Sequence, residues 1–583
     1  MSQRPEIIEH HVDLCVVGGG LAGMLTAISA ARNGARVAIM QDRPVFGGNC
    51  SSEIRMWSLG CHGENNRETG ILEEILLENM DRNPYRNFSV WGSILYEKIR
   101  YQEGIEPILN CSCQDVEMDG NRIVSVTGWQ LTTYCYHRVY AALFADCSGD
   151  SVLAPLTGAQ FRMGHEARGE YNERIEPEEA DSHTMGMSCL LQAKETNHKV
   201  EFKPPKWAYV YETDEQINRA HDFIKDKTEN FWWIELGGMG DCIRDTEKLR
   251  DELLRVTFGI WDHIKNRGDH GADNWELDWV GFLPGKRESR RYIGDVVLNE
   301  NDVAAGGHFP DLAAYGGWTM DDHDPTGFYG HRANIFHPAP CPFGIPYRSM
   351  YSVNIENLFF AGRNISATHA AMSATRVMAT CATIGQAVGT AAAIAVRYGL
   401  TPRGVYEQRL EELQDTLQFD DAWLPFRRRS IPSLTASAHA THDVLRSGWD
   451  RPQNGEDNGC FLALGEAACY TFDSPKEIEV CRIVFDSDLE RRSCDGDEIL
   501  RTYPMLANKY RDMLAFGFPK TMVRSFRLEY ETEQGEWKLL AEESSNIQRL
   551  VVIRRAVRAK AVRLLPLSTW GSESAHVFAF DVR

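Results

Sequence analysis

The sequence predicts an α/β fold: a Rossmann-type nucleotide-binding domain, interrupted by an inserted α+β domain and followed by a β-sandwich. Three observations carry this expectation. Residues 12–52 read as strand, glycine turn, helix and second strand. Residues 353–398 return to the same buried, small-residue texture after a long stretch rich in Trp, Tyr and His. From Ser430 onward, short β-type runs recur between turn signals.

The first stretch is the most specific. Leu14 to Val17 is an apolar run, Gly18, Gly20 and Gly23 follow in G-x-G-x-x-G spacing, and Leu21 to Asn33 has helical composition. Gly34 closes that helix, and Arg36 to Met40 reads as a second buried strand. The glycines have separate jobs: Gly18 for the tight turn, Gly20 for close approach of a pyrophosphate, Gly23 for helix–strand packing. The helix start then offers free N–H groups and a positive dipole end to phosphates.

Length and charge narrow the class. A chain of 583 residues holds several domains and ample core. A formal charge of −21 argues against nucleic acid and anionic membrane, although the run Gly285 to Arg291 is locally basic and suited to a small anion. The fifteen cysteines include no C-x-x-C, which argues against a zinc ribbon or iron–sulfur cluster. The Asp322-His323-Asp324 run has metal-ligand residue types, but adjacent residues rarely converge on one ion, so no metal is expected. Reduced thiols and an N-terminus without an apolar core point to a cytoplasmic protein. The uncharged stretch Val377 to Val396 nearly reaches bilayer length, but its small residues suit a packed core helix. The partner expected is a small molecule, and a homo-oligomer is compatible with the sequence.

In order along the chain, Thr69 to Met80 is amphipathic at helical spacing, and His62, Glu64, Arg67 and Glu68 before it read either as site lining or as a solvated loop, the latter for Glu64 and Glu68. Asp119-Gly120-Asn121 is a hairpin turn between strand-like runs, and the next run ends in Asp146-Cys147-Ser148-Gly149-Asp150. The expected division is 1–160 and 346–400 for the nucleotide-binding domain, 161–345 for the inserted substrate or cap domain, 401–429 for a connecting helix and 430–583 for the sandwich.

Together these motifs resemble the bacterial FAD-dependent oxidoreductases often encoded beside carbohydrate-degradation genes. The residues that carry the resemblance are GGGLAGMLTAISAARNGARVAIMQDRPVFGGNCSSEIR, RETGILEEI, ADCSGDS, GKRESRRYIGD, YGGWTMDDHDP, IPYRSMY and NLFFAGRNISATHAAMSATRVMATC, in that order. The resemblance implies FAD on a fold of the glutathione-reductase kind. It places the pyrophosphate at Gly18, Gly20, Leu21, Ala22 and Gly23. The adenosine ribose would meet Gln41, where the family usually has glutamate, with Asp42 supplying the missing charge. Gly47, Gly48, Asn49, Ser52, Arg55 and Cys113 continue the expected site. Ser148, Gly149 and Asp150 form a corner returning the chain to the cofactor, and Gly362, Arg363, Thr375, Arg376 and Val377 lie along the ribityl chain and flavin. The C-terminal strand rhythm resembles a discoidin-type, galactose-binding-like sandwich.

For oxidation of an alcohol, a base must take the hydroxyl proton, and histidine suits neutral pH. Two candidates stand out: His323 in Asp321-Asp322-His323-Asp324, and His369 in SATHAAMS, the better placed because Arg363 and Thr375 frame its loop. Asp322 and Arg287 complete the expected catalytic set. Arg287, Arg290 and Arg291 with Glu288 read either as a substrate clamp or as an ion-pair network, at least two of them structural. Cys50 lacks a neighbouring partner cysteine, so it reads as packing and not as a disulfide redox centre. No second G-x-G-x-x-G suggests a nicotinamide site. The expected activity is FAD-dependent oxidoreduction of a small polar substrate such as a sugar, polyol or glycoside hydroxyl. The alternatives are a flavoenzyme without net redox, a lyase or hydrolase, and a carbohydrate-binding protein with structural FAD.

Overall fold

The computed structural model describes residues 5–583, and the chain divides into two compact units. One comprises the residues up to His62, Tyr85–Gln414 and Tyr503–Leu514; the other comprises Gly63–Pro84, Asp415–Thr502 and Ala515–Arg583. These units do not follow the linear division read from sequence. Residues 63–84 group with the C-terminal unit, and residues 503–514 with the first.

The first unit is built on a seven-stranded sheet. Its strands are β1 (Ile7–Val17), β2 (Val37–Met40), β3 (Ile105–Ile108), β4 (Cys111–Asp119), β5 (Arg122–Gln130), β6 (Cys135–Asp146) and β7 (Leu358–Phe360). The spatial order is β3-β2-β1-β6-β5-β4. β1, β2, β3, β6 and β7 run parallel, whereas β4, β5 and β6 form an antiparallel meander. β6 serves both because it is long: residues 135–140 pair with β5, and Phe144–Asp146 pair with β7. The parallel part is buried on both faces, so Leu14–Val17 and Val37–Met40 read as unbroken apolar runs. Helix α1 (Leu21–Arg32) connects β1 to β2, and Gly120 turns the β4–β5 hairpin.

The inserted stretch has small two- and three-stranded sheets around helix α2 (Thr246–Asp262). Its core is aromatic, with Phe223, Phe231, Trp233, Trp261, Trp275 and Phe328 in one cluster. α2 runs on into a π-helical turn at His263–Arg267. Downstream of β7 come the short helix α3 (His369–Thr375) and the long helix α4 (Met378–Tyr398). The sequence places Ser373-Ala374-Thr375 before one long helix; here those residues are themselves helical, and α4 starts after Val377.

α4 is long and apolar enough to cross a membrane, yet 94% of its apolar window is buried within the protein. Its small residues explain this. A Cβ on Gly385 would lie 2.1 Å from the Ala22 carbonyl oxygen, and one on Gly389 would lie 2.2 Å from that of Thr26. The helices meet so closely that Thr26 Oγ1 donates to the Gly385 carbonyl and Ser29 pairs with Thr390 at 2.8 Å.

The C-terminal unit holds a seven-stranded antiparallel sheet. Its main strands are β8 (Cys460–Ala463), β9 (Ala468–Phe485), β10 (Val523–Glu531), β11 (Trp537–Glu543), β12 (Leu550–Thr569) and β13 (Ser574–Val582), in the order β8-β13-β9-β12-β10-β11. Hydrogen bonding is continuous across the sheet, with bulges in β9 such as that between Thr471 and Lys476. Leu462, Tyr470, Phe485, Phe526, Val562 and Phe580 belong to its core. Within this unit Arg491 reaches Glu73 at 2.6 Å, both buried. Glu68, before helix Ile71–Arg82, is also buried and not solvated, whereas Glu64 is solvent-exposed as expected.

Candidate functional site

The glycine turn at the end of β1 opens a cavity of about 640 Å³, within the size range of cofactor pockets. Gly18 sits at φ +105°, and a Cβ there would come within 2.5 Å of the Cys147 backbone. A Cβ on Gly23 would fall 1.9 Å from the Gly18 carbonyl oxygen. Around Gly20 the space is open, the nearest atom to an added Cβ being Gly48 Cα at 3.8 Å. No side chain caps the α1 N-terminus, so its first N–H groups remain available at the cavity wall.

Three separated segments meet there. Gly18 to Ala22, Cys147 to Asp150, and Gly362, Arg363 with Arg376 to Met378 all line the same cavity, as do Gly47, Gly48 and Asn49. The start of α4 likewise has no side-chain cap. Asp150 ties the segments together: Lys286 Nζ lies 2.7 Å and Arg363 NH2 2.6 Å from its carboxylate, and Ser289 Oγ donates to it at 2.8 Å. Burial acts to raise the Asp150 pKa, but Arg363 and Lys286 hold it below the usual carboxylate value. Arg363 Nε, Arg376 Nε and Trp318 Nε1 are buried donors on this wall without a hydrogen-bond partner among the described residues. Two uncapped helix starts and unpaired donors fit a large, anionic, polar-edged ligand, as FAD is.

Gln41 lines the cavity and also supports its backbone. It is 4% exposed, its Oε1 accepts from the Gly19 N–H at 2.7 Å, and its Nε2 donates to the Val45 carbonyl. The amide therefore braces the glycine turn, while Asp42 on the same wall is solvent-exposed. Cys113 lines the cavity, but Gly23, Ser52, Arg55 and Thr375 are not among its lining residues. Arg55, at φ +62°, bonds Gln192 at 2.6 Å and lies over the Trp279 ring at 4.4 Å, a packing role.

The two candidate histidines exchange places. His369, 2% exposed, is not a cavity residue: its Nδ1 is 2.9 Å from Glu288 and its Nε2 3.0 Å from Asp322. Burial alone would lower its pKa; the two carboxylates overturn that and raise it well above 6.5. His323 does line the cavity. Its Nδ1 is 2.6 Å from Glu235, its Nε2 3.3 Å from Asp321, and the Trp232 ring sits edge-on at 5.1 Å. Strand geometry separates neighbours here: Met320–His323 is extended, so Asp321 and His323 share the cavity face while Asp322 points away, to His369. Asp322 is thus removed from the cavity with His369.

Arg287 stays on the wall, donating to Ser188 Oγ and the Trp232 carbonyl at 2.8 Å each, 3.3 Å from Glu235. Burial raises Glu235, but Arg287 and His323 bring it below the ordinary carboxylate value. Arg291 is structural, buried between Glu166 and Glu288. Cys50 is buried with its thiol pushed up to about 12 by desolvation, an inert packing thiol. Sequence reading missed Glu235, Lys286 and Trp232. Of these only Lys286 left a signal, the basic run that contains it.

A profile of the family described as FAD dependent oxidoreductase matches residues 13–417. A soluble pyridine nucleotide transhydrogenase of Marinobacter nauticus (strain ATCC 700491 / DSM 11845 / VT8) is 49% identical over 43 residues, 7% of this chain and only 9% of that enzyme. Among solved structures, the flavin-dependent brominase Bmp2 is 12% identical, covering 70% of this chain and 85% of its own, with a TM-score of 0.33. The p-nitrophenol 4-monooxygenase PnpA of Pseudomonas putida DLL-E4 is 12% identical, covering 72% and 91%, with a TM-score of 0.29. A family 32 carbohydrate-binding module from Streptococcus pneumoniae EndoD is 12% identical, covering 26% and 97%, with a TM-score of 0.19. Scores at this level decide neither fold nor substrate. The family match spans most of the chain and every segment around the cavity except Tyr503, and it settles kinship: the chain belongs to the FAD dependent oxidoreductase family, an enzyme family whose cofactor is FAD.

Proposed function

We propose that this FAD-dependent oxidoreductase acts on a hydroxyl of a small polar substrate, a sugar, polyol or glycoside, with His323 handling the proton. The observation that carries the reading is the Glu235–His323 pair on the cavity wall, 2.6 Å apart. Bound FAD supplies the two-electron exchange. The backbone at Gly18 to Ala22 would hold its pyrophosphate. Asp150, Arg363 and the start of α4 would hold the ribityl and flavin end. The parallel β3-β2-β1-β6-β7 core with its antiparallel meander supports a fold of the glutathione-reductase kind.

His323 takes the substrate proton at a ring nitrogen. Glu235, held below the ordinary carboxylate value by Arg287 and His323, orients the ring through Nδ1. Arg287, Arg376 and Asn334 give this wall hydrogen-bond donors suited to several hydroxyls. In the C-terminal unit, long bulged strands over an apolar core support a galactose-binding-like sandwich that holds glycan or serves as a dimer or domain-packing module.

The reading is tested by mixing the FAD-loaded protein anaerobically with a panel of sugars, polyols, glycosides and hydroxy acids. Bleaching of the flavin bands by a hydroxylated substrate is expected. Bleaching by none of them, with rapid reduction by a substrate lacking a hydroxyl, defeats it.

A further inference from the structure

Away from the cavity, four side chains of the inserted stretch converge on one point. Asp214 opens a short helical turn, His221 lies in the following loop, His263 begins the π-helical turn after α2, and His270 lies just beyond it. None is among the cavity-lining residues. One ligand atom from each falls within 4.8 Å of all the others. His263 Nε2 is 2.9 Å from Asp214 Oδ1 and 3.0 Å from His270 Nε2. His270 Nε2 is 3.6 Å and His221 Nε2 4.0 Å from the same oxygen.

The tautomers make this arrangement telling. His263 Nδ1 lies 2.9 Å from the Tyr211 carbonyl, and His221 Nδ1 2.6 Å from the Arg219 carbonyl. A carbonyl only accepts, so both rings carry their proton on Nδ1. When the rings are neutral, their Nε2 lone pairs face a carboxylate oxygen that is also an acceptor. His221 is 6% exposed, and its Nε2 is buried without a hydrogen-bond partner among the described residues. A proton on one Nε2 relieves a single contact, whereas a cation at the centre satisfies all four atoms. A backbone carbonyl on the far ring nitrogen is also the usual outer support of a metal-bound histidine.

We propose that Asp214, His221, His263 and His270 form a structural site for a tetrahedral divalent cation of the zinc type. Zinc–nitrogen bonds of about 2.0–2.1 Å put neighbouring tetrahedral ligands roughly 3.3–3.4 Å apart, in the middle of the observed separations. Three imidazoles and one carboxylate make a closed set, suited to holding structure and not to activating water. The proposal departs from the expectation of no metal. A sequence search built on C-x-x-C overlooks it because the ligands are histidines spread over 57 residues, Asp214 to His270. The ion would pin the 211–221 loop to the end of α2. The chain between these anchors supplies Thr228, Asn230 and Trp232 to the cavity wall, so the site steadies that wall from behind.

The test uses the full-length, FAD-loaded protein. Metal content is measured as purified. The chelator-treated protein is then titrated with zinc chloride, and in parallel with cobalt chloride. Expected are one zinc per chain, saturation at one equivalent with a Kd below about 1 μM, and tetrahedral cobalt absorption to the red of the flavin bands. H221A/H263A, and H270Q in the partly exposed loop, should each lose at least tenfold in affinity while FAD content is retained. Failure of the wild-type protein to take up zinc or cobalt saturably would overturn the proposal without touching the flavin reading. Uptake unchanged in H270Q and H221A/H263A would overturn it as well.

Discussion

His369 lies in the interior with a carboxylate at each ring nitrogen, while Glu176 is 1% exposed and its Oε1 accepts from the Ala370 N–H at 2.8 Å. Burial pushes Glu176 from 4.5 up to about 8, and Glu166 and Glu173 add to the rise. Both groups therefore hold a proton in the folded state that the unfolded chain has released. For Glu176 that window runs from pH 4.5 to about 8; for His369 it opens at 6.5 and extends upward. Protons are lost on unfolding across these windows, so stability falls as pH rises. Chemical denaturation at a series of pH values should show the midpoint dropping from pH 6 to pH 9, with Glu176→Gln flattening the part below pH 8. A flat or rising profile would contradict the assignment. These protonation states were hidden in the sequence, because they depend on Glu166, Glu173, Glu176 and Glu288 arriving from distant stretches. So was the exchange of His369 for His323: it follows from the extended backbone at Met320–His323, which sends Asp322 and His323 to opposite faces.

Among the elements, α1 and α4 matter most to the cavity, since each offers it an uncapped N-terminus. Their spacing is set by residues without side chains. Gly385→Ala would place a methyl group 2.1 Å from the Ala22 carbonyl and force the helices apart. A cost of about 1–3 kcal/mol in unfolding free energy is expected, together with faster loss of FAD on dialysis. Denaturation and flavin fluorescence measure these; unchanged values for both would mean that the contact does not position α1. Most of this level was legible in the sequence. G-x-G-x-x-G after an apolar run and the alanine-rich composition of α4 are local signals with local consequences. The grouping of residues 63–84 with the C-terminal unit was not legible, because Arg491 with Glu73 is a pairing that no local pattern announces.

At the scale of the whole molecule, three stretches far apart in the chain build one cavity, and Asp150 joins two of them to the basic run at Lys286. The family match covers this part of the chain and supplies the cofactor; the wall supplies the residue chemistry. Its central assignment is that His323 serves the reaction, whereas His369 serves the fold. Flavin reduction by an accepted substrate should be followed anaerobically in His323→Asn and His369→Gln, beside the folding stability of each. The account predicts reduction slowed by about 10²–10⁴-fold in His323→Asn with FAD and stability retained. It predicts a loss of about 3–5 kcal/mol of stability in His369→Gln, with near-normal reduction in the molecules that remain folded. Normal reduction in His323→Asn, with chemistry abolished in a fully stable His369→Gln, would contradict it.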